Sequence, residues 1–364
     1  MGEPSAELLA VCSLDPETLH AWERLAEEAL EPNPFFTPGA VLASARHLAG
    51  GEQDHLLVVR RGEALDLALP VRRARRYRRV PVPTVRAWGH DDGFLDTPLL
   101  RDHDPEGSWS AALDLLHDRG AWWWTFEQLG ADGPVRASLE AAARRRGRRP
   151  LVLGSVPRPV VRRRAEPTYL DDRMSSSQRR RLGRFRRRLE RELEAPVEVV
   201  DRAADDLMGA LDRFLALEAG GWKGEAGTAL LSDPRRAAHF RETVLDAGRR
   251  GRVQMWELGS RTTVAAALCA VVEGEGVFHL KTAYDERFAS SSPGVQLEVA
   301  ALEAFHDDPR LQWIDSCAGG RATTPSARLY PDRRSMERVL VPLGGTASRL
   351  AAAGLQQAMR RRHG

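Results

Sequence analysis

Gly276-Val277-Phe278-His279-Leu280-Lys281-Thr282-Ala283-Tyr284-Asp285-Glu286-Arg287-Phe288-Ala289-Ser290-Ser291-Ser292-Pro293-Gly294-Val295-Gln296-Leu297 is the stretch whose reading decides the fold. Gly276 to Tyr284 follows the turn Glu273-Gly274-Glu275 and carries the aromatic and β-branched residues of a strand. Period-two alternation would place His279, Lys281 and Ala283 on one face of that strand and Leu280 and Thr282 on the other. A helix is predicted from Pro293-Gly294 to near Phe305, because proline suits a first helical turn. Outward from this stretch, Arg252 to Leu258 and Thr263 to Val272 read as preceding strands, and Leu311 to Asp315 and Met336 to Pro342 as following ones. Upstream lie a strand at Val197 to Val200, a helix at Asp205 to Ala219, and a helix capped by Asp233-Pro234 that runs to Ala247.

The N-terminal half carries the same order: a strand at Leu8 to Ser13, helices near Pro16 to Leu30 and Pro38 to Leu48, and strands at His55 to Arg61, Leu65 to Arg72 and up to Trp88. Gly93 to Leu100 reads as extended, then a helix from Trp109 to Arg119, a strand at Ala121 to Phe126, a helix from Val135 to Arg146 and a strand at Leu151 to Gly154. Segment order repeats while residues do not, so the chain reads as a duplicated fold. The expected class is α+β, each half a mixed, mostly antiparallel sheet flanked by helices. The expected bounds are 1–156, a linker at 157–174, a second domain at 175–345 and a helical tail at 346–364. Ser175-x-x-Gln178 resembles a capping box that starts an arginine-rich helix. The run Trp122-Trp123-Trp124 cannot put all three indoles on one face and reads as a strand buried on both sides.

Composition narrows the function classes. Hydrophobic residues at 42% supply a core, which excludes disorder throughout. The uncharged apolar stretch Thr262 to Val272 is about half of the ~20 residues a membrane span requires. No basic-then-apolar leader is visible at the N-terminus, and Cys12, Cys269 and Cys317 form neither a disulfide framework nor metal-ligand spacing. The expectation is a reduced, cytoplasmic, metal-free protein without a membrane span. Arginines cluster at 72–79, 144–149, 162–164 and 179–191. They read either as phosphate-binding patches or as solvated faces; in 178–191 Leu182, Phe185 and Leu189 share one helical stripe and the arginines take the outer face. Against 52 arginines stand only two lysines, Lys223 and Lys281. A compact, titratable ammonium retained where the planar guanidinium is the usual choice points to a tight site.

Several segments together resemble the GNAT acyltransferase superfamily, doubled, and in particular the bacterial branch of CelD-type acetyltransferases and FemAB-like proteins. They are Leu217-Glu218-Ala219-Gly220-Gly221-Trp222-Lys223-Gly224 with Gly227-Thr228; Tyr284 to Phe288 leading to Ser292 to Leu297; Trp313-Ile314-Asp315; and Leu329-Tyr330-Pro331-Asp332-Arg333-Arg334. Asn33-Pro34-Phe35-Phe36 and Gly93 to Leu99 extend the resemblance more loosely to the first half. It implies two tandem GNAT-like domains and acyl transfer from acyl-CoA, acetyl-CoA or a carrier-protein thioester to an amine of a small molecule or sugar. It implies that the loop Ala289 to Leu297 holds the donor's pyrophosphate, through Ser291, Ser292, Gly294, Val295 and Gln296. Free amides at a helix start and a glycine without a side chain suit an anion there. The superfamily favours Gly or Ala where this chain has Gln296. It further implies that the strand carrying Phe278, Leu280 and Thr282 pairs with the pantetheine arm.

Aminolysis of a thioester needs a neutral amine, a polarised carbonyl, a proton acceptor and a proton donor for the thiolate. The candidates are Tyr284 as donor, Asp285 as base or amine ligand, Lys281 as the group orienting an acidic partner, and Asp315 as a further carboxylate at a strand end. Glu218, Trp222 and Lys223 read as a wall of the acceptor pocket, or as a helix end where Gly220-Gly221 stops the helix and Lys223 complements its dipole. His90 and Asp91, after Trp88-Gly89, are expected to face a cleft between the halves. Two alternatives stand beside the acyl-CoA reading: a FemAB-like transferase that uses aminoacyl-tRNA, and a non-catalytic binding module on the same fold.

Overall fold

In the computed structural model the order strand, two helices, three strands, helix, strand occurs twice, apart from a two-residue strand added in the first copy and a single-turn helix added in the second. The structure describes residues 3–48, 54–318 and 326–363. The first copy comprises β1 (Ser5–Ala10), α1 (Pro16–Glu28), α2 (Pro38–His47), β2 (Asp54–Arg61), β3 (Ala64–Ala74), β4 (Thr84–Ala87), the two-residue β5 (Leu99–Leu100), α3 (Pro105–Asp118), β6 (Trp123–Gly130), α4 (Pro134–Arg145) and β7 (Leu151–Arg162). The second comprises α5 (Ser176–Glu192), β8 (Glu198–Asp201), α6 (Leu207–Ala219), the single turn α7 (Trp222–Glu225), α8 (Pro234–Arg249), β9 (Val253–Gly259), β10 (Val264–Glu273), β11 (Gly276–Tyr284), α9 (Pro293–Asp307), β12 (Trp313–Asp315), β13 (Asp332–Pro342) and α10 (Thr346–His363).

The chain divides into unit 1, Met1–Pro157 with Arg334–Gly364, and unit 2, Arg158–Arg333. This corrects the expected bounds at the C-terminal end. Met336 to Pro342, expected at the edge of the second domain, pairs antiparallel with β6 of unit 1. The reason is apolar burial: Leu340, Ala352 and Met359 close over Tyr77, Trp123 and Leu153. The residues expected to form a linker are also structured. Val160 to Arg162 pair with β12, and Tyr169 and Met174 are buried in the core of unit 2.

In unit 1 the strands lie in the order β1-β2-β3-β4-β6-β13, with β5 on β3. Along this path, among the described residues, β4 and β6 run parallel and the other pairs antiparallel. Helix α1 begins where the Asp15 carboxylate accepts the Thr18 amide at 2.8 Å, and it buries Trp22 and Leu25. Trp123 and Trp124 are fully buried, Trp124 against Trp109 and Trp123 against Tyr77, while Trp122 precedes the strand and is 36% exposed. The expected burial on both sides therefore holds for two of the three indoles.

In unit 2 the order is β8-β9-β10-β11-β12-β7, and among the described residues β11 and β12 alone pair in parallel. One face packs Leu189 of α5 and Leu297, Leu302 and Phe305 of α9. The other packs Leu211, Phe214 and Leu215 of α6 and Phe240 and Val244 of α8. The capping box that starts α5 is complete in both directions, from the Ser175 hydroxyl and the Gln178 amide oxygen. Among the described residues no helix is long and apolar enough to cross a membrane.

Leu340→Ala is expected to destabilise unit 1 by about 2–5 kcal/mol in urea unfolding, because it empties a fully buried site. Leu350→Ala, on the exposed side of α10, is expected to change it by less than about 0.5 kcal/mol. Equal losses would contradict the assignment of β13 to the core of unit 1.

Candidate active site

Strand β11 meets β12 only at Gly276, Val277 and Phe278, opposite Trp313, Ile314 and Asp315. The chain then turns away at Cys317, which has a left-handed φ of 49° and whose amide donates to Asp315 Oδ1 at 2.7 Å. From His279 onward β11 has no strand on that side among the described residues. A cavity of about 610 Å³ opens there, between this bare edge, the start of α9 and the turn at Ser316 to Ala318.

A β-bulge lies at the same place. Lys281 faces Cys269 and His279 faces Ala270 on β10, so Leu280 is the extra residue. The bulge shifts the phase of the side chains. His279 joins Thr282 on the α9 face, where both reach Glu298, while Leu280 joins Ala283 in the core built with α6 and α8. The alternation expected from sequence, with His279 beside Lys281, is corrected by that one inserted residue.

The α9 face holds a buried polar cluster. Glu298 accepts from Thr282 Oγ1 at 2.9 Å and from the Tyr330 hydroxyl at 3.0 Å, and lies 3.3 Å from His279 Nδ1. The Tyr330 oxygen is also 2.7 Å from His279 Nδ1. Burial pushes the Glu298 carboxyl up, but His279, Thr282 and Tyr330 together outweigh it and hold it below the ordinary glutamate range. Burial and the neighbouring carboxylate push the Tyr330 phenol well above its ordinary value. A histidine backed by a buried carboxylate and a phenol is a unit that can accept and hold a proton. Sequence reasoning assigned no role to His279, Glu298 or Tyr330. The available signal was spacing: Glu298 stands four residues after Gly294, on the same face of the helix.

The α6 face holds the two lysines. Glu218, buried near the end of α6, takes Lys223 Nζ at 3.0 Å and Lys281 Nζ at 3.9 Å on Oε1, and the Leu230 amide at 2.8 Å on Oε2. Trp222 is 56% exposed and lines the cavity beside Lys223. Glu218 itself stands behind the lysines and does not line it.

The loop before α9 is held from within. Gln296, in place of the expected small residue, donates Nε2 to the Ser291 carbonyl at 2.8 Å, and Ser291 Oγ donates to Glu192 at 3.0 Å. Both side chains are buried in the loop, so Ser291 and Gln296 brace it and do not face the cavity. Ser292, Gly294 and Val295 do face it. Ser292 sits in the left-handed region at φ 49° and makes no side-chain cap bond. The Val295 and Gln296 amides turn back to the Ser292 carbonyl, while the Gly294 amide precedes the first carbonyl the helix offers.

The remaining candidates are placed elsewhere. Phe278 is fully buried edge-on to Trp313. Asp285 is occupied by the Arg287 guanidinium, which holds its carboxyl below the ordinary range, and caps the turn at 286–291. Asp315 is buried against Arg158 at 3.4 Å and bonds the Cys317 amide. Neither carboxylate reaches the cavity, because each is already consumed by a structural partner. Tyr284, Leu280, Thr282 and Lys281 line it. His90 and Asp91 line a separate cavity of about 240 Å³ within unit 1, where His90 Nδ1 accepts the Asp92 amide at 3.3 Å. Burial pushes the Cys317 thiol well above its ordinary value, which disfavours the thiolate. No group of three or more His, Cys, Asp or Glu is placed to hold a metal among the described residues.

The family model described as an acetyltransferase (GNAT) domain matches residues 176–322, all within unit 2. No curated protein matches the chain. Among solved structures, FemX is similar with a TM-score of 0.58 at 8% identity, over 89% of this chain and 95% of that one. A conserved protein of unknown function from Bacteroides thetaiotaomicron gives a TM-score of 0.57 at 12% identity, over 93% and 99%. L-PGS from Bacillus licheniformis gives 0.50 at 13% identity, over 95% and 97%. At these identities the likeness is one of fold, and the fold is two tandem GNAT-like domains, the element order of unit 2 standing also in unit 1.

Glu298→Ala is expected to cost about 1–3 kcal/mol, because it leaves buried donors without their shared acceptor. The folded carboxyl titrates below the unfolded one, so its contribution is complete above the unfolded value and is lost as pH falls through the folded one. The melting temperature of the wild type is therefore expected to drop more steeply in acid than that of Glu298→Gln. Parallel curves would contradict an ionised Glu298.

Proposed function

We propose that this chain, whose residues 176–322 match the family model of an acetyltransferase (GNAT) domain, is an N-acyltransferase that moves an acyl group from acyl-CoA or a carrier-protein thioester to the amine of a small molecule or sugar. The observation that carries the reading is the edge of β11, beside which no strand lies among the described residues, meeting the uncapped start of α9 in one cavity. An extended donor arm adds to that edge as a further strand would. Its diphosphate suits the amides at Gly294. The amine nitrogen attacks the thioester carbonyl carbon, the C–N bond forms and the C–S bond breaks. The amine's proton passes to His279, whose cation Glu298 stabilises, and Tyr284 protonates the leaving thiolate. Lys223, Trp222 and Lys281 are left to meet the acceptor.

Gly294→Ala separates this reading from a purely structural loop. A Cβ there would stand 3.6 Å from Tyr284 Cδ1 and 3.9 Å from Thr282 Cγ2, ordinary contacts, so the fold has room for it. Alanine is also the better helix former. Gly294→Ala is expected to melt no lower than wild type while binding acetyl-CoA about fivefold or more weakly in titration calorimetry, since its methyl occupies the donor's approach to the amides. Unchanged affinity, or no acyl-CoA binding by the wild type, would overturn the proposal.

A second reading, with aminoacyl-tRNA as donor, is supported by Arg180, Arg184, Arg187 and Arg191, all exposed along one face of α5. It is expected to show as tRNA binding that weakens steeply with salt. Flat salt dependence alongside acyl-CoA binding would dismiss it.

A further inference from the structure

We infer that unit 1 carries an anion site of its own, a basic cavity between α4, the start of β7 and α10 that takes a di- or triphosphate chain. The cavity measures about 820 Å³, and every residue that lines it belongs to unit 1. Arg136 and Arg144 come from α4, Arg149 from the loop before β7, and Arg360 from α10. Glu140 is the one carboxylate lining it among the described residues. The inference is independent of acyl transfer, which the proposal above assigns to unit 2.

Arg136, Glu140 and Arg144 follow at four-residue steps along α4 and share a face. Glu140 holds the two arginines side by side: its Oε1 lies 2.7 Å from Arg136 Nη1 and its Oε2 2.9 Å from Arg144 Nη2. Arg136 is only 6% exposed. Its Nη2 reaches Glu337 at 3.4 Å, its Nη1 meets Glu140 without hydrogen-bond geometry, and its Nε has no acceptor. A buried guanidinium with donors unspent favours a further anion beside it. On α10, Gln356 Nε2 donates to the Val152 carbonyl at 2.9 Å, which seats the turn before Arg360 on the start of β7.

The arginine cluster at 144–149 divides here. Arg145 and Arg146 are spent on Glu106 and Asp114 of α3. Arg149 and Arg360 make no ion pair among the described residues. Four guanidiniums thus stand against two carboxylates, Glu140 and Glu337, and the excess lies with the two arginines that close the cavity from β7 and α10. Guanidinium forks match phosphate oxygens and bind them in pairs. Arg136 and Arg144 are two turns apart, roughly 12 Å along the helix axis, which is wider than one phosphate and suits a short chain of them. Pro150, Leu151 and Val152 supply the apolar lining, with no aromatic ring among the described residues there. Single-stranded nucleic acids are gripped by stacking their bases on such rings, so a compact polyphosphate fits this cavity better.

The test uses the full chain at low salt, with pyrophosphate, tripolyphosphate and ATP titrated by calorimetry. Tripolyphosphate is expected to bind, and more weakly as salt is added. Arg149→Gln and Arg360→Gln alter exposed side chains, so both are expected to melt as the wild type does. Each is expected to bind tripolyphosphate about fivefold or more weakly, and the double variant more weakly than either. Arg136→Gln is expected to lose binding as well; should it fail to fold, the two exposed variants decide alone. Tripolyphosphate is expected to raise the melting temperature of the wild type and to leave that of the double variant unmoved. ATP no tighter than tripolyphosphate assigns the site to the phosphate chain, and ATP tighter assigns it to a nucleotide; either result upholds the inference. Binding of neither polyphosphate overturns it, and so does capture of a short RNA oligonucleotide without them. An affinity that the double variant keeps and Gly294→Ala loses also overturns it, because the anion then sits at α9.

Discussion

The parallel pairing of β11 with β12 stops after Phe278, and among the described residues no strand neighbours β11 beyond it on that side. Amides and carbonyls away from water need partners. On the function proposed above, this edge is where an extended ligand would find those partners. The rest of unit 2 depends on this opening. The left-handed turn at Cys317 carries the chain away from β11, and the Asp315–Arg158 pair anchors the end of β12 from which it departs. Asp315 shapes the cavity without facing it.

The bulge at Leu280 supplies the second half of the design. A regular strand would deliver His279 and Lys281 to the same face, and the two buried carboxylates would compete for one set of cations. With one extra residue, Glu298 receives a ring, a phenol and a hydroxyl, and Glu218 receives two ammoniums and an amide. A buried charge with one partner removed is costly, so both sites hold their geometry tightly. That rigidity is what a positioning site requires.

Much of this was legible in the residues. The strands of unit 2, the helix starting at Pro293-Gly294, the capping box at Ser175 and the duplicated order follow from periodicity and caps, which are local. Trp222, Lys223 and Tyr284 line the cavity. What could not be read was non-local or aperiodic. A bulge leaves no trace in the pattern of apolar residues, because an added residue is seen only from the partner strand. The occupation of Asp315 by Arg158 joins residues far apart in the chain, whereas that of Asp285 by Arg287 was within reach as a local Asp-x-Arg pair. Glu298 was hidden by its helix, where a carboxylate one turn past the glycine reads as solvated until the facing strand is known. The return of β13 to β6 rests on packing between segments that share no sequence pattern.

The route of the chain has a consequence for how the protein is made. Unit 2 is one contiguous segment, Arg158–Arg333, whereas unit 1 is complete only with Arg334–Gly364. On the ribosome, the usual order in which the leading domain finishes first is inverted. The edge of β6 that β13 will cover must wait bare while all of unit 2 is synthesised. An uncovered edge of that kind is an aggregation template, so the nascent first half is the stage at which this chain most needs a chaperone's protection.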